Sequence, residues 1–364
     1  MLIRLLLFAS LFVSLAVPAR AEVRVAVTYS EAANLFFVMD NVSAWLDGFT
    51  DPAFRAEWTK RFGWSAADQA MADRYREYRA RTYIDSQDPE EDPGKSSEGM
   101  FAARGPVTTA DDPLAAYFMR QTDIRNALRG LDGAVTAKDA RLLRAFYQHF
   151  ELRSRQIMDE SRSLQNDAAA LGHLLASRAT DRFADRMSKY YGVETDGTFT
   201  VLFVHYPAGQ RSRAGVLGGK FILLKSPVGS KIASDDWDTI VFHEFAHYIS
   251  ALQPAKQKRI LTRQFLAACS LPKGVNPLWL LEEPLAVAWG QATYSLKVRG
   301  RPFNPLENWY SVPWIDIVSR TIAPSVALAY DNGATINDGV VKESAARCND
   351  LKAISDLLNS PEKK

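Results

Sequence analysis

Apolar and polar residues alternate through EVRVAVTYS (22–30), the pattern of a half-buried strand. The next stretches, EAANLFFVMDNVSAWLDGF (31–49) and AADQAMADRYREYRARTY (66–83), carry helical spacing instead. Periodicity is lost over 84–113, IDSQDPEEDPGKSSEGMFAARGPVTTADDP. That segment is rich in Pro, Gly, Ser and Asp and predicts a long mobile loop or linker. From Pro113 to Tyr191 the helical pattern returns. Within it Thr136, with Asp139 three residues on, predicts a capped helix start.

The character changes at ETDGTFTVLFVHYPAG (194–209). Phe199 to Val204 form a β-rich run bounded by turn residues at Asp196-Gly197 and Pro207-Ala208-Gly209. A second run, GGKFILLKSPVGS (218–230), follows a turn rich in Gly and Arg. These strands lead into DDWDTIVFHEFAHYISAL (235–252), which predicts a helix. Ser234 is its expected cap, and Asp235 and Asp236 stand in the first turn, where the helix dipole favours negative charge. Trp237, Ile240, Val241, Ile249 and Leu252 supply its apolar surface. Two further helices are predicted in VNPLWLLEEPLAVAWGQATYSL (275–296) and ARCNDLKAISDLL (346–358). No internal repeat is visible. The expected fold class is α+β and predominantly helical, with a helical N-terminal region over 22–195 and a second domain over 196–364.

Composition adds little to this picture: 47% hydrophobic and 24% charged residues are ordinary for a globular chain. The N-terminus adds more. MLIRLLLFASLFVSLAVPARA (1–21) has a lone Arg4, an apolar run from Leu5 to Val17 and small residues flanking Arg20. That is the pattern of a cleavable secretory signal, so the mature chain is expected to begin at Glu22 and to be periplasmic or secreted. The apolar run is too short to remain as a comfortable membrane anchor. Removing it takes away Arg4 and Arg20 and no acid, which cancels the formal charge of +2. With no basic run interleaved with aromatics, nucleic acid is not an expected partner. After export Cys269 and Cys348 meet an oxidising compartment, where they form either a disulfide or two buried thiols. Asn41-Val42-Ser43 is a glycosylation sequon, relevant only in a eukaryotic secretory route.

The chemistry centres on His243-Glu244-Phe245-Ala246-His247. Residues four apart on a helix share a face, so two imidazoles one turn apart can grip one ion. Glu244 stands about 100° round the helix, able to reach a bound water without being a ligand. Zinc lowers the pKa of such a water to about 7, and a carboxylate can take its proton and hand it to a leaving amine. A catalytic zinc needs a third protein ligand. No histidine follows His247, so that ligand is an acid or an upstream histidine.

HEFAH (243–247) together with WLLEEPLAVAWG (279–290) resembles the gluzincin metallopeptidases. The resemblance spans roughly 198–295 and implies a zincin-like core, in which a second helix supplies a glutamate as third zinc ligand. Counting from Trp279 selects Glu282; counting back from Ala286 selects Glu283, the preferred choice. Pro284, where the family has Gly, fits Glu283 if it opens a new helical segment. The resemblance also casts 218–225 as an edge strand holding extended peptide, against the alternative of an ordinary core strand. It further implies an oxyanion-stabilising side chain, with Tyr330 as candidate and His205, Tyr294 and Tyr310 as alternatives. Trp279 and Trp289 are expected in the core. The expected function is an exported zinc metallopeptidase acting on a peptide or protein. The alternatives are a secreted binding or inhibitory protein on a degenerate scaffold, and a zinc hydrolase of a non-peptide cell-wall amide.

Overall fold

The computed structural model describes residues 23–47, 50–82, 112–194, 197–217, 221–230, 234–269, 279–304, 306–336 and 338–359. The signal expected over 1–21 and nearly all of the loop expected over 84–113 lie outside these residues. The molecule is mostly helical, at 68%, with one small mixed sheet of four strands.

The chain opens with β1 (Val23–Tyr29), then α1 (Glu31–Ser43), α2 (Pro52–Phe62), α3 (Ala66–Thr82), α4 (Pro113–Met119) and α5 (Ile124–Gly130). The long α6 (Ala137–Ser161) follows, then α7 (Leu164–Ser177) and α8 (Asp181–Tyr190). Side-chain caps start several of these helices. Ser30 Oγ accepts the Ala33 amide at 2.9 Å, and Thr136 Oγ1 accepts the Asp139 amide at 3.2 Å, the cap its sequence predicts. The strands β2 (Gly197–Tyr206), β3 (Arg213–Leu217) and β4 (Phe221–Pro227) come next. After them run α9 (Ser234–Ala251), α10 (Ala255–Ala268), α11 (Trp279–Val287), a π-helical turn (Ala288–Thr293), α12 (Tyr294–Lys297), α13 (Pro313–Asn332) and α14 (Asp338–Asn359).

The strand order is β1-β2-β4-β3, with β1, β2 and β4 parallel and β3 antiparallel to β4. Both faces of the two central strands are covered, which their nearly unbroken apolar composition requires. On one face Phe199, Val201, Phe203, Ile222 and Leu224 join a core with residues of α7, α8, α9, α11 and α13. On the other Leu202, Val204, Tyr206, Phe221 and Leu223 join a core with α1, α2, α3, α4 and α6.

Two expectations change here. β1 pairs with β2 from Val23↔Gly197 to Tyr29↔Phe203, so the boundary expected near 195 runs through one shared sheet. And β4 is hydrogen-bonded on both sides; the antiparallel edge strand is β3. The cysteine question resolves as a disulfide: Cys269, just past α10, joins buried Cys348 of α14, with Cα atoms 5.6 Å apart. Asn41 is buried in α1, where its amide donates to Phe37 O and accepts the Asp51 amide, both at 2.8 Å. The sequon is therefore a structural asparagine.

Candidate metal centre

The helix α9 is held by apolar contacts around much of its circumference. Phe245 and Tyr248 stand edge-on to Phe199 of β2 at 4.6 and 4.7 Å, and Trp237 stands edge-on to Phe203 at 5.5 Å. Phe242 stacks on Tyr294 at 4.6 Å. This packing fixes the helix rotation and thereby the direction of His243 and His247. The side chains of Ser234 and Asp235, its expected cap and first turn, lie outside the described residues.

The partner helix approaches unusually closely. A Cβ on Gly290 would sit 2.6 Å from both His243 N and Thr239 O, and 2.8 Å from His243 Cα. Only a residue without a side chain lets the two backbones touch there. Gly290 lies in the π-helical turn that continues α11. The helix begins at Trp279, so Pro284 is interior and buried, not the first residue of a segment. Glu283 thus reaches the histidines from within the helix and not from its start.

Glu283 bridges both imidazoles, Oε1 at 3.3 Å from His243 Nε2 and Oε2 at 3.1 Å from His247 Nε2. The two Nε2 atoms are 3.2 Å apart. His243 and Glu283 are buried and His247 is partly so. Glu282 turns elsewhere: its Oε1 accepts from Ser250 Oγ at 2.9 Å and pairs with Lys258 Nζ at 3.2 Å. Among the described residues, His243, His247 and Glu283 form the one cluster able to hold a metal ion.

The three groups of the cluster interact strongly, and a metal ion there competes with a proton for the imidazole nitrogens. Burial works against a charged Glu283 carboxylate, but His247 and His243 outweigh it and hold the carboxyl well below its usual range. Burial likewise opposes a proton on His247. Glu283 beside it, helped by Glu244 and Glu282, overrides this and pushes the imidazole up to about 9. Negative charge is concentrated where cation ligands converge. Glu244 is half-buried, and its charge is felt at His247.

The other candidates are distributed as follows. Tyr310 lies nearly parallel to the His243 ring, 6.2 Å away with 15° between planes. Tyr330 packs instead in an aromatic cluster, 5.4 Å from Phe183 and 6.3 Å from Trp289. Tyr294 and Trp289 are core residues, and the Trp279 side chain lies outside the described residues. His205 belongs to the opposite side of the sheet, with its amide bound to Asn34 Oδ1 at 2.6 Å and its ring 3.3 Å from Glu57.

Three supporting residues escaped sequence analysis. Gly290 carries the helix contact. Asp238 is wholly buried on α9 between the guanidinium groups of Arg178 and Arg299. Asp316 accepts the backbone amides of Trp309 and Tyr310 at 2.9 and 3.1 Å, which fixes the segment carrying Tyr310. Asp238 was discoverable: it interrupts the apolar stripe of Trp237, Val241, Phe242 and Phe245, and an acid on a buried face needs a partner. Comparison of the chain with known protein families, curated proteins and solved structures finds no match.

Proposed function

We propose that the chain is an exported zinc-dependent metallopeptidase built on a zincin-like core. The observation that carries this reading is the convergence of His243, His247 and Glu283 from two helices in backbone contact. Donor atoms about 2.0–2.1 Å from one zinc ion at tetrahedral angles lie roughly 3.3 Å from one another. The two imidazole nitrogens are 3.2 Å apart, and each lies close to a different Glu283 oxygen, at 3.3 Å for His243 and 3.1 Å for His247, with one donor atom from each residue within 4.8 Å of the others. Two imidazoles and a carboxylate are also the donor set of known catalytic zinc sites, which leave a further position open.

Zinc bound there would supply Lewis acidity toward a carbonyl and toward water. The rest is done by the chain. Glu244 adjoins His243 without joining the ligand cluster, so its carboxylate is available to accept a proton and deliver it to the departing amine. Tyr310, whose ring lies parallel to that of His243, is the hydroxyl-bearing candidate for an oxyanion. The edge strand β3, packed against α9, has no second strand neighbour among the described residues and can hold an extended peptide by strand addition. The Cys269–Cys348 disulfide supports residence in an oxidising compartment, in keeping with the signal pattern of residues 1–21.

The test combines metal analysis with digestion of a broad peptide library by wild type and Glu244→Gln. The expected result is about one zinc per chain in both proteins, and turnover lower in the variant by roughly 10²–10⁴-fold. Equal turnover would remove Glu244 from the mechanism. Zinc without cleavage in either protein would favour a binding protein.

A further inference from the structure

Between Glu244 and Glu282 the chain carries side-chain charge of one sign only. It holds Lys256, Lys258, Arg259, Arg263 and Lys273 and no acid, although Asp and Glu make up 42 of the 364 residues. All but Lys273 lie on α10 (Ala255–Ala268). We propose that the outer face of α10 docks the protein on an anionic phospholipid surface. The inference does not depend on the metallopeptidase reading.

The helix has two distinct sides. Leu261 and Phe265, with Cys269 just past the helix, are buried at intervals of four residues. Lys256, Arg259, Ile260, Arg263 and Ala267 are exposed, at a spacing that gathers them on one face. At about 100° per residue, Arg263 stands roughly 200° round from Leu261, on the side away from the core. Ile260, 46% exposed, lies among these cations. Lys258 belongs to the inner flank, where its Nζ pairs with Glu282 Oε1 at 3.2 Å.

An ordinary solvated helix balances its charges, and others in this molecule do so. Arg76 has Asp73, Arg155 has Glu151 and Arg347 has Asp350, each an acid on the same helix one turn away. α10 has no acid of its own, so its occupant must supply the negative charge. A second copy presenting the same face would be repelled. A peptide needs a groove or a strand edge, which one convex helix face lacks. A layer of phosphate headgroups is broad and negative, and hydrocarbon lies beneath it for a residue such as Ile260 to press into. The face is also held ready. The Cys269–Cys348 disulfide and an Asn349 side chain donating to Ala268 O at 2.5 Å fix its end to α14, and Lys258 ties its first half to α11. Little ordering is then required on contact.

Sedimentation with vesicles tests the inference on the full-length chain. Vesicles of phosphatidylcholine containing about 30% phosphatidylglycerol should bind it, and pure phosphatidylcholine vesicles should bind it at least about 10-fold more weakly. Raising salt from about 0.1 M to about 0.5 M should release it. Each Lys or Arg near such a surface strengthens binding about five-fold, so Lys256→Gln, Arg259→Gln and Arg263→Gln should each weaken it by that factor and together by about 100-fold. Circular dichroism should not change, and Ile260→Ser should have a smaller effect. Arg125→Gln, Lys138→Gln and Arg141→Gln together, an equal change of charge at exposed positions on α5 and α6, should leave binding within about two-fold. All variants share one N-terminus, so any affinity of residues 1–21 for lipid is common to them. Equal binding to both kinds of vesicle, unchanged binding by the α10 variants, or an equal loss in the α5 and α6 variant would each overturn the inference. Soluble polyglutamate is the final arm. If it binds wild type through the same three cations more tightly than the vesicles do, the face is a site for an acidic protein and the lipid assignment fails.

Discussion

Two buried carboxylates among the described residues lie against histidines, and only one of them sits in a cluster able to hold a metal ion. Asp68, in α3, accepts both terminal guanidinium nitrogens of Arg153 at 2.6 and 2.9 Å and the Ser65 amide at 2.9 Å, with His149 at 2.7 Å. Glu283 has only the two imidazoles, neither of them a permanent cation. The first carboxylate is saturated by donors from the protein. The second is held only by two titratable imidazoles, which can give up their protons and leave three donor groups facing one metal ion. Proximity of acid and histidine is therefore not diagnostic; the balance of donors and acceptors is.

The most forceful way to break that comparison is to remove each carboxylate in turn. Glu283→Ala should abolish stoichiometric metal binding, as should His243→Ala or His247→Ala, because each leaves two ligands. Asp68→Ala and Glu282→Ala should keep the metal, measured by elemental analysis after dialysis. Retention by Glu283→Ala, or loss by Asp68→Ala, would dissolve the distinction.

A smaller effect is expected from Gly290→Ala. The added methyl group meets backbone atoms of His243 and Thr239, which cannot swing aside as a side chain can. Overpacking of this kind costs about 1–3 kcal/mol, so the melting temperature should fall and metal affinity should weaken with it. Gly215→Ala on β3, where the nearest atom to a new Cβ is the flexible Lys225 Nζ at 3.9 Å, is the control and should change little.

The smallest effect concerns acid. Hydrogen bonds from Arg153, acting against burial, hold the Asp68 carboxyl well below its ordinary range, with Ser65 and His149 adding to them. A depressed carboxyl stabilises the fold above its unfolded pKa of about 3.9, and that contribution is lost as pH falls through the folded value. Asp68→Asn should therefore flatten the decline of stability below about pH 4, read by urea melts at pH 3 and pH 6. An unchanged slope would mean that the Asp68 cluster contributes nothing to acid sensitivity.

What could be read from the sequence follows from what is local. The spacing of His243 and His247 places both on one helical face, and the Thr136 cap needs only residues three apart. Tertiary facts were legible only in part. The unbroken apolar run Phe221-Ile222-Leu223-Leu224 is the composition of a strand buried on both faces, and it signalled a central strand where the family resemblance suggested an edge. The choice between Glu282 and Glu283 turned on how α11 rotates against α9. That rotation is set by Gly290 touching the His243 backbone, a contact no spacing rule contains. A glycine within an apolar helical run is nonetheless a signal of close approach. The union of Cys269 with Cys348 depends on where α10 and α14 meet in space, which lies beyond any local pattern.

The pairing of residue 23 with residue 197 has a consequence in time. A chain made at about 5–20 residues per second completes the second strand roughly ten to thirty-five seconds after the first. Until then the N-terminal strand has no neighbour, and contacts this distant in sequence slow folding because the intervening loop must close first. During that wait VRVAVTY (23–29) is a nascent β-segment with open hydrogen-bonding edges, the kind that recruits other chains. Arg24 is its one charge, set among β-branched residues, the placement by which a charge interrupts an aggregation-prone run.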